Sequence, residues 1–69
     1  INFKVDSDGE VAISIYNLQG REIAVLLNRY MRAGYHSVIW NADEHSSGVY
    51  FVKMLTDQYT GNKKIALVK

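Results

Sequence analysis

The sequence predicts an all-β domain, an antiparallel sandwich or small barrel, on three observations. Valine and isoleucine supply thirteen of the 69 residues and 12% are aromatic, and both groups favour the half-buried surface of a sheet. Apolar and polar residues alternate in several short runs, which is the periodicity of strands with one buried face. Turn residues separate these runs at intervals of roughly ten residues, as is typical of small antiparallel folds.

The first two strands are predicted at residues 1–5 and 11–16, where every second residue is apolar. The carboxylates and glycine of residues 6–9 are common in tight turns. We therefore expect the two strands to form a hairpin. Asp6 and Asp8 also resemble the opening of a calcium loop, but the chain enters the next strand before the remaining ligands of such a loop appear.

Residues 23–31 allow two predictions after a turn at residues 17–20. Ile23, Val25 and Leu27 alternate as in a strand. An amphipathic helix is the alternative, and the pattern alone slightly favours it. Its apolar stripe at i, i+3, i+4, i+7 and i+8 consists of Ile23, Leu26, Leu27, Tyr30 and Met31.

Three further strands are predicted at residues 35–41, 48–56 and 63–69. Loops at residues 42–47 and 57–62 separate them. The phase of the alternation places His36, Val38 and Trp40 on one face of the first of these strands, and Tyr50, Val52 and Met54 on one face of the second. In the last strand, Ile65 and Leu67 are expected to face inward, and Lys63 and Lys69 outward.

The composition argues against several functional classes. The chain has no cysteine and a formal net charge of +1, so it offers no thiolate metal site and no long-range field for nucleic acid. No apolar run is long enough to span a membrane. His36 and His45 lack metal-ligand spacing, and His36 is better interpreted as a partly buried, hydrogen-bonded side chain. The residues therefore indicate no cofactor, no metal and no catalysis.

Aromatic residues leave a carbohydrate-binding alternative open. Trp40 and Tyr50 fall in the inward phase of their strands, which is typical of core residues. Tyr30, Tyr35 and Tyr59 lie near predicted loops and are the better candidates for stacking on a sugar.

Four segments, taken in order and spacing, resemble the C-terminal sorting domain of the type IX (Por) secretion system. They are residues 13–23 (ISIYNLQGREI), 33–41 (AGYHSVIWN), 46–53 (SSGVYFVK) and 63–69 (KKIALVK). The resemblance covers nearly the whole chain. It implies that residues 1–69 form a single immunoglobulin-like antiparallel sandwich of about six or seven strands, similar to the Ig-like domain of flagellar hook-capping proteins. It also implies a strand at residues 21–27 and a loop at residues 28–34.

The resemblance implies an addressing function rather than catalysis. The domain would be the C-terminal module of a larger protein, following an N-terminal cargo domain. It would direct that cargo through the periplasm to the type IX outer-membrane translocon and surface attachment complex of a Gram-negative bacterium. The cargo would then be secreted or held at the cell surface.

Two groups of residues follow from this interpretation. The last strand is the expected recognition element, with an edge open to strand addition and with the candidate residues Lys63, Lys64 and Lys69. The expected structural motif consists of Tyr16, Gly20, Gly34, Trp40, Gly48 and Tyr50, with the Tyr16 hydroxyl or the Asn17 amide satisfying turn backbone groups.

Another function remains possible for the same fold. The domain would then be a structural or adhesive Ig-like module attached to a secreted enzyme. Members of the family usually have an Asn-Pro-rich segment before the strand that matches residues 1–5, and often a proline where this chain has Arg32. We therefore expect the first strand to be the least secure part of the fold.

Overall fold

The computed structural model describes residues 1–68, which form six β-strands and no helix. In chain order the strands are β1 (Asn2–Val5), β2 (Gly9–Tyr16), β3 (Glu22–Met31), β4 (Gly34–Ser37), β5 (Gly48–Thr56) and β6 (Thr60–Leu67). β1 and β4 form a two-stranded antiparallel sheet, and the other four form an antiparallel sheet in the order β3-β2-β5-β6. The all-β sandwich prediction is confirmed, and the architecture is consistent with a small Ig-like domain.

The core lies between the two sheets and is centred on β2. Val11, Ile13 and Ile15 project from its inner face and are exposed by 1% or less. Val5 of β1 and Tyr50 of β5 belong to the same buried cluster. Alternation along β2 therefore buries one face fully, because β2 has a neighbour on each edge and a second sheet above it.

The predicted hairpin between the first two strands is wrong. β1 pairs with β4, with Phe3 opposite His36, whereas β2 pairs with β3 and β5. Residues 6–8 therefore carry the chain from one sheet to the other. Period-2 alternation identifies the buried face of a strand and leaves its neighbour undetermined, since either partner would bury the same side chains.

The ambiguous segment is strand β3, so the helix favoured by the pattern is wrong and the strand implied by the resemblance is confirmed. The register between β2 and β3 shifts twice, which leaves Leu26 and Ile23 as extra residues without a direct partner on β2. Each such bulge changes the phase of the alternation. Ala24 and Leu27 pair with β2 residues, and each is next to a half-buried bulge residue, Ile23 or Leu26. These adjacent apolar pairs produce the same sequence pattern as the apolar stripe of an amphipathic helix.

Three predicted boundaries also need correction. The loop expected at residues 28–34 is reduced to Arg32 and Ala33, because β3 continues to Met31. The strand expected at residues 35–41 ends at Ser37. β6 begins at Thr60 rather than at residue 63, because a tight turn closed by the Thr56 N–H donating to the Tyr59 carbonyl at 2.8 Å already reverses the chain.

Candidate functional site

β6 is an edge strand of the four-stranded sheet. Within residues 1–68 it is hydrogen-bonded to β5 alone, so one row of its backbone N–H and C=O groups has no strand partner in the described part of the chain. Exposed strand edges of this kind are the structures that pair with an added strand. The predicted recognition element is therefore built as an edge.

Inward side chains hold β6 against the core. Ile65 lies opposite Tyr50, and Ile65 and Leu67 are half-buried against the core cluster, as predicted. At the other end of the strand the ring of Tyr59 lies against Gly61, where any β-carbon would overlap it. The Tyr59 ring thus covers the gap that the missing side chain of Gly61 leaves, and a larger residue there would displace the ring.

The two described lysines of the predicted recognition group lie on opposite faces of β6. Lys63 is opposite the inward-facing Val52, and Lys64 is opposite Phe51. Both are exposed, but Lys63 has the phase of Ile65 and lies beyond the cover of the second sheet, so placing it on the outer face was wrong. Lys69 lies outside the described residues.

The turn between β2 and β3 is organised by Asn17. Its side-chain Oδ1 accepts hydrogen bonds from the backbone N–H groups of Gln19 at 3.0 Å and Arg21 at 2.9 Å. Gly20 has φ of 82°, a left-handed conformation that glycine adopts without steric cost. The expectation that the Asn17 amide satisfies turn backbone groups is confirmed.

Tyr16 has a different partner, the carboxylate of Glu22 across the start of the same turn. Its hydroxyl donates to Glu22 Oε2 at 3.3 Å, and Lys53 Nζ lies 6.0 Å from the ring centroid. Burial and the nearby Glu22 charge raise the pKa of the Tyr16 hydroxyl, since both disfavour the phenolate.

An aromatic cluster lies near the start of β5, just after Gly48. The rings of Trp40 and Tyr50 meet edge to face with centroids 5.2 Å apart, and His45 stacks 5.6 Å from Trp40. The Tyr50 hydroxyl donates to the Ser46 carbonyl at 2.6 Å. Tyr50 is buried, whereas Trp40 is half-buried and belongs to the irregular segment after β4. The pair packs at the edge of the core and fixes the segment between β4 and β5.

The entry to β4 is held by three contacts. Gly34 has φ of 136°, in a region that disfavours side chains. Just before it, the Ala33 N–H donates to Asp8 Oδ1 at 2.6 Å. His36 Nε2 lies 2.7 Å from the Arg32 carbonyl, and its ring lies 5.6 Å from that of Phe3. His36 is half-buried and hydrogen-bonded, as predicted.

The three tyrosines considered for carbohydrate binding do not share a surface. Tyr30 lies on the outer face of the four-stranded sheet, opposite Glu10. Tyr35 lies on the two-stranded sheet, opposite Lys4. Tyr59 lies in the turn between β5 and β6, and its ring packs on Gly61. A sugar could stack on one of these rings but not on a platform formed by all three.

Residues 1–68 contain no group of three or more His, Asp or Glu side chains arranged to hold a metal ion. No helix capable of crossing a membrane is formed within the same residues.

The sequence interpretation missed a cleft between β1 and the β5–β6 side of the larger sheet. It has a volume of about 530 Å³ and is lined by residues of β1, by Val52 and Met54 of β5, and by Lys63. The sequence held one indication of this cleft, because Lys63 alternates in phase with Ile65 and Leu67, which face inward. The other wall could not be inferred, since it depends on the pairing of β1 with β4.

Fold and site together define a small β-sandwich module whose accessible features are strand edges. The family model described as "Secretion system C-terminal sorting domain" matches residues 1–68, and the chain belongs to that family. No curated protein and no solved structure matches the chain significantly.

Membership establishes the function of the domain. It is a C-terminal sorting signal for type IX secretion, a non-catalytic module found on proteins that Gram-negative bacteria export through the periplasm to the cell surface or beyond. It implies an interaction with the type IX machinery and the presence of a cargo. The resemblance seen in the four sequence segments is confirmed, and the accessory-module and carbohydrate-binding alternatives are not favoured.

Proposed function

We propose that β6 is the element that the type IX machinery recognises, and that Lys63, Lys64 and Lys69 supply its charge. In this proposal residues 1–69 are a single C-terminal module that follows an N-terminal cargo domain. The outer-membrane translocon binds the module first, and the surface attachment complex binds it after export.

The free edge of β6 is the observation that carries the proposal. β6 has one strand neighbour within residues 1–68, and its half-buried Ile65 and Leu67 hold it in an extended conformation. An incoming strand would therefore pair with a preformed edge. Its affinity would be reduced little by the entropic cost of ordering β6.

The charges on both sides of the strand add selectivity. Lys63 and Lys64 are exposed on opposite faces and form no ion pair with any side chain of residues 1–68. A partner strand flanked by carboxylates on both faces would contact both ammonium groups. Complementary charge of this kind raises association rates and excludes wrong partners.

A reporter fused in front of residues 1–69 in a type IX host tests the proposal. The double variant Lys63→Glu/Lys64→Glu should lower export by on the order of tenfold, because it replaces attraction with repulsion at the interface. Arg21→Glu/Arg32→Glu is the matched control, since both arginines are exposed cations outside β6 and the net charge changes by the same amount.

Circular dichroism of each purified fusion protein, compared with that of the reporter alone, checks that the sandwich persists in the variants. Export of the folded Lys63→Glu/Lys64→Glu variant at the level of the control would show that β6 is not recognised through these lysines. Equal loss in both variants would show that only overall charge matters, which also overturns the proposal.

A further inference from the structure

The two-stranded sheet covers only part of the larger sheet. Inner-face residues of β2 are exposed by 1% or less, but cover declines towards β6. Met54 of β5 and Ile65 of β6 are half-buried, and Lys63 of β6 is exposed. β1 is the strand that lines the cleft on this side. The uncovered strip is thus where a third strand beside β1 would lie.

Hydrogen bonding within the small sheet shows which backbone groups of β1 are available. Ile1 and Val38 exchange both of their possible hydrogen bonds, each at 2.8 Å. In an antiparallel ladder such pairs alternate with pairs that form no hydrogen bonds to each other. The backbone N–H and C=O groups of Phe3 therefore bond to β4. Those of Asn2 and Lys4 point away from β4, towards the cleft that these two residues line.

The cleft has an apolar floor and an acidic end. Val52 and Met54 of β5 form part of the floor, and Asp6 and Asp57 lie at the end where β1 leaves for β2. Asp6 lies 3.9 Å from Lys4 Nζ, whereas Asp57 forms no ion pair with any side chain of residues 1–68. A volume of about 530 Å³ is within the range of ligand-binding clefts, roughly 300–1,000 Å³.

We propose that this cleft binds an extended segment of a partner protein, which adds to β1 as the third strand of the small sheet. The added strand runs antiparallel to β1, the more stable arrangement. Its backbone bonds to Asn2 and Lys4, and its inward side chains are apolar and cover Met54. A lysine or arginine at its amino end lies among the carboxylates beside Asp57.

Charge complementarity selects this occupant over a second copy of the chain. The acidic end requires a basic residue at the first position of the added strand. β1 has no basic residue at its own amino end, since it begins with Asn2 and has Lys4 near its carboxyl end. This site uses the backbone edge of β1 rather than the β6 edge of the preceding proposal, and Lys63 lines the cleft as well.

The test uses isotope-labelled chain and blocked seven-residue peptides in which valine alternates with threonine. One peptide has arginine at its amino end, and its matched control has glutamate there. In ¹H–¹⁵N spectra the arginine peptide should shift the amides of Asn2, Lys4 and Met54. It should also bind at least about fivefold more tightly than the glutamate peptide, as expected for one ion pair at a partly enclosed site.

Two variants at one position separate edge pairing from charge. Lys4→Pro removes the N–H that faces the cleft and leaves the bonds between β1 and β4 intact, so affinity should fall by about tenfold. Lys4→Ala keeps the N–H, and its affinity should stay within about twofold of the parent, since an exposed lysine contributes little. Should Lys4→Pro fail to fold, Met54→Asp places a charge on the floor and should also prevent binding.

Several outcomes would overturn the proposal. Absence of binding at millimolar peptide would exclude the site. Shifts confined to β6, such as those of Lys64 and Ala66, would assign strand addition to the other edge. Self-association in sedimentation equilibrium would make a second copy the occupant. Protection of the Lys4 amide from exchange in the full-length protein without peptide would show that the protein's own chain fills the cleft.

Discussion

The two sheets of the sandwich differ in how their strands are held. β2 has a neighbour on each edge, and its inner side chains Val11, Ile13 and Ile15 are exposed by 1% or less. Within residues 1–68, β1 pairs with β4 alone, and Phe3 is half-buried. The larger sheet therefore contains most of the buried surface, and the smaller one acts as its cover. We expect the cover to open locally while the larger sheet stays folded, because local opening follows the density of buried contacts.

The largest expected effect is at the centre of the larger sheet. Ile13→Ala should lower the free energy of unfolding by about 2–5 kcal/mol. A 69-residue domain has only about 3–10 kcal/mol in total, so the variant should lose a large share of its stability. Urea denaturation measures the change. Ile39→Ala, at a side chain that is 88% exposed, is the control and should change it by less than about 0.5 kcal/mol.

A smaller effect is expected in the cover. Phe3→Ala should cost about 1 kcal/mol, because Phe3 is only half-buried. Hydrogen exchange should then speed up at the Val38 amide, which bonds to Ile1, and stay slow at Ile13. Equal acceleration at both amides would show that the two sheets unfold together. Val25→Ala on the exposed outer face of β3 is the matched control and should leave both rates unchanged.

The smallest effect is a pH dependence confined to the larger sheet. Burial and Glu22 raise the pKa of Tyr16 in the folded state, so the unfolded chain loses this proton first. The stabilising contribution is present below the unfolded pKa of about 10 and is lost as the pH rises through the folded value. Tyr16→Phe should reduce the fall in stability above pH 10 in urea titrations, and Glu22→Gln should reduce it less. An unchanged alkaline fall in Tyr16→Phe would contradict the assignment.

The sequence predicted the elements of the larger sheet better than their arrangement. The alternation at Val11, Ile13 and Ile15 located β2 and its buried face, because that face is covered along its whole length. The same reasoning failed for residues 23–31. There two bulges in β3 shift the phase, and the resulting period matches a helix. Only the family resemblance, which reflects tertiary context, identified the strand.

Alternation of apolar residues also predicted part of the candidate site. The identity of the last strand and the inward position of Ile65 and Leu67 followed from alternation. The prediction that Lys63 faces outward was wrong, because Lys63 has the same phase along β6 as the inward-facing Ile65. The cleft was beyond reach, because it exists only when β1 pairs with β4, and nothing in residues 1–5 specifies that partner.

The bulges of β3 make the larger sheet one-sided. β3 is the other edge of that sheet, and bulges twist an edge strand away from the regular geometry that another strand would match. Within the larger sheet, strand addition is therefore confined to β6. Sheets that join only through β6 form pairs, whereas a continuous fibre requires a competent edge on both sides of every member. An export signal built in this way is thereby protected from polymerising through its larger sheet.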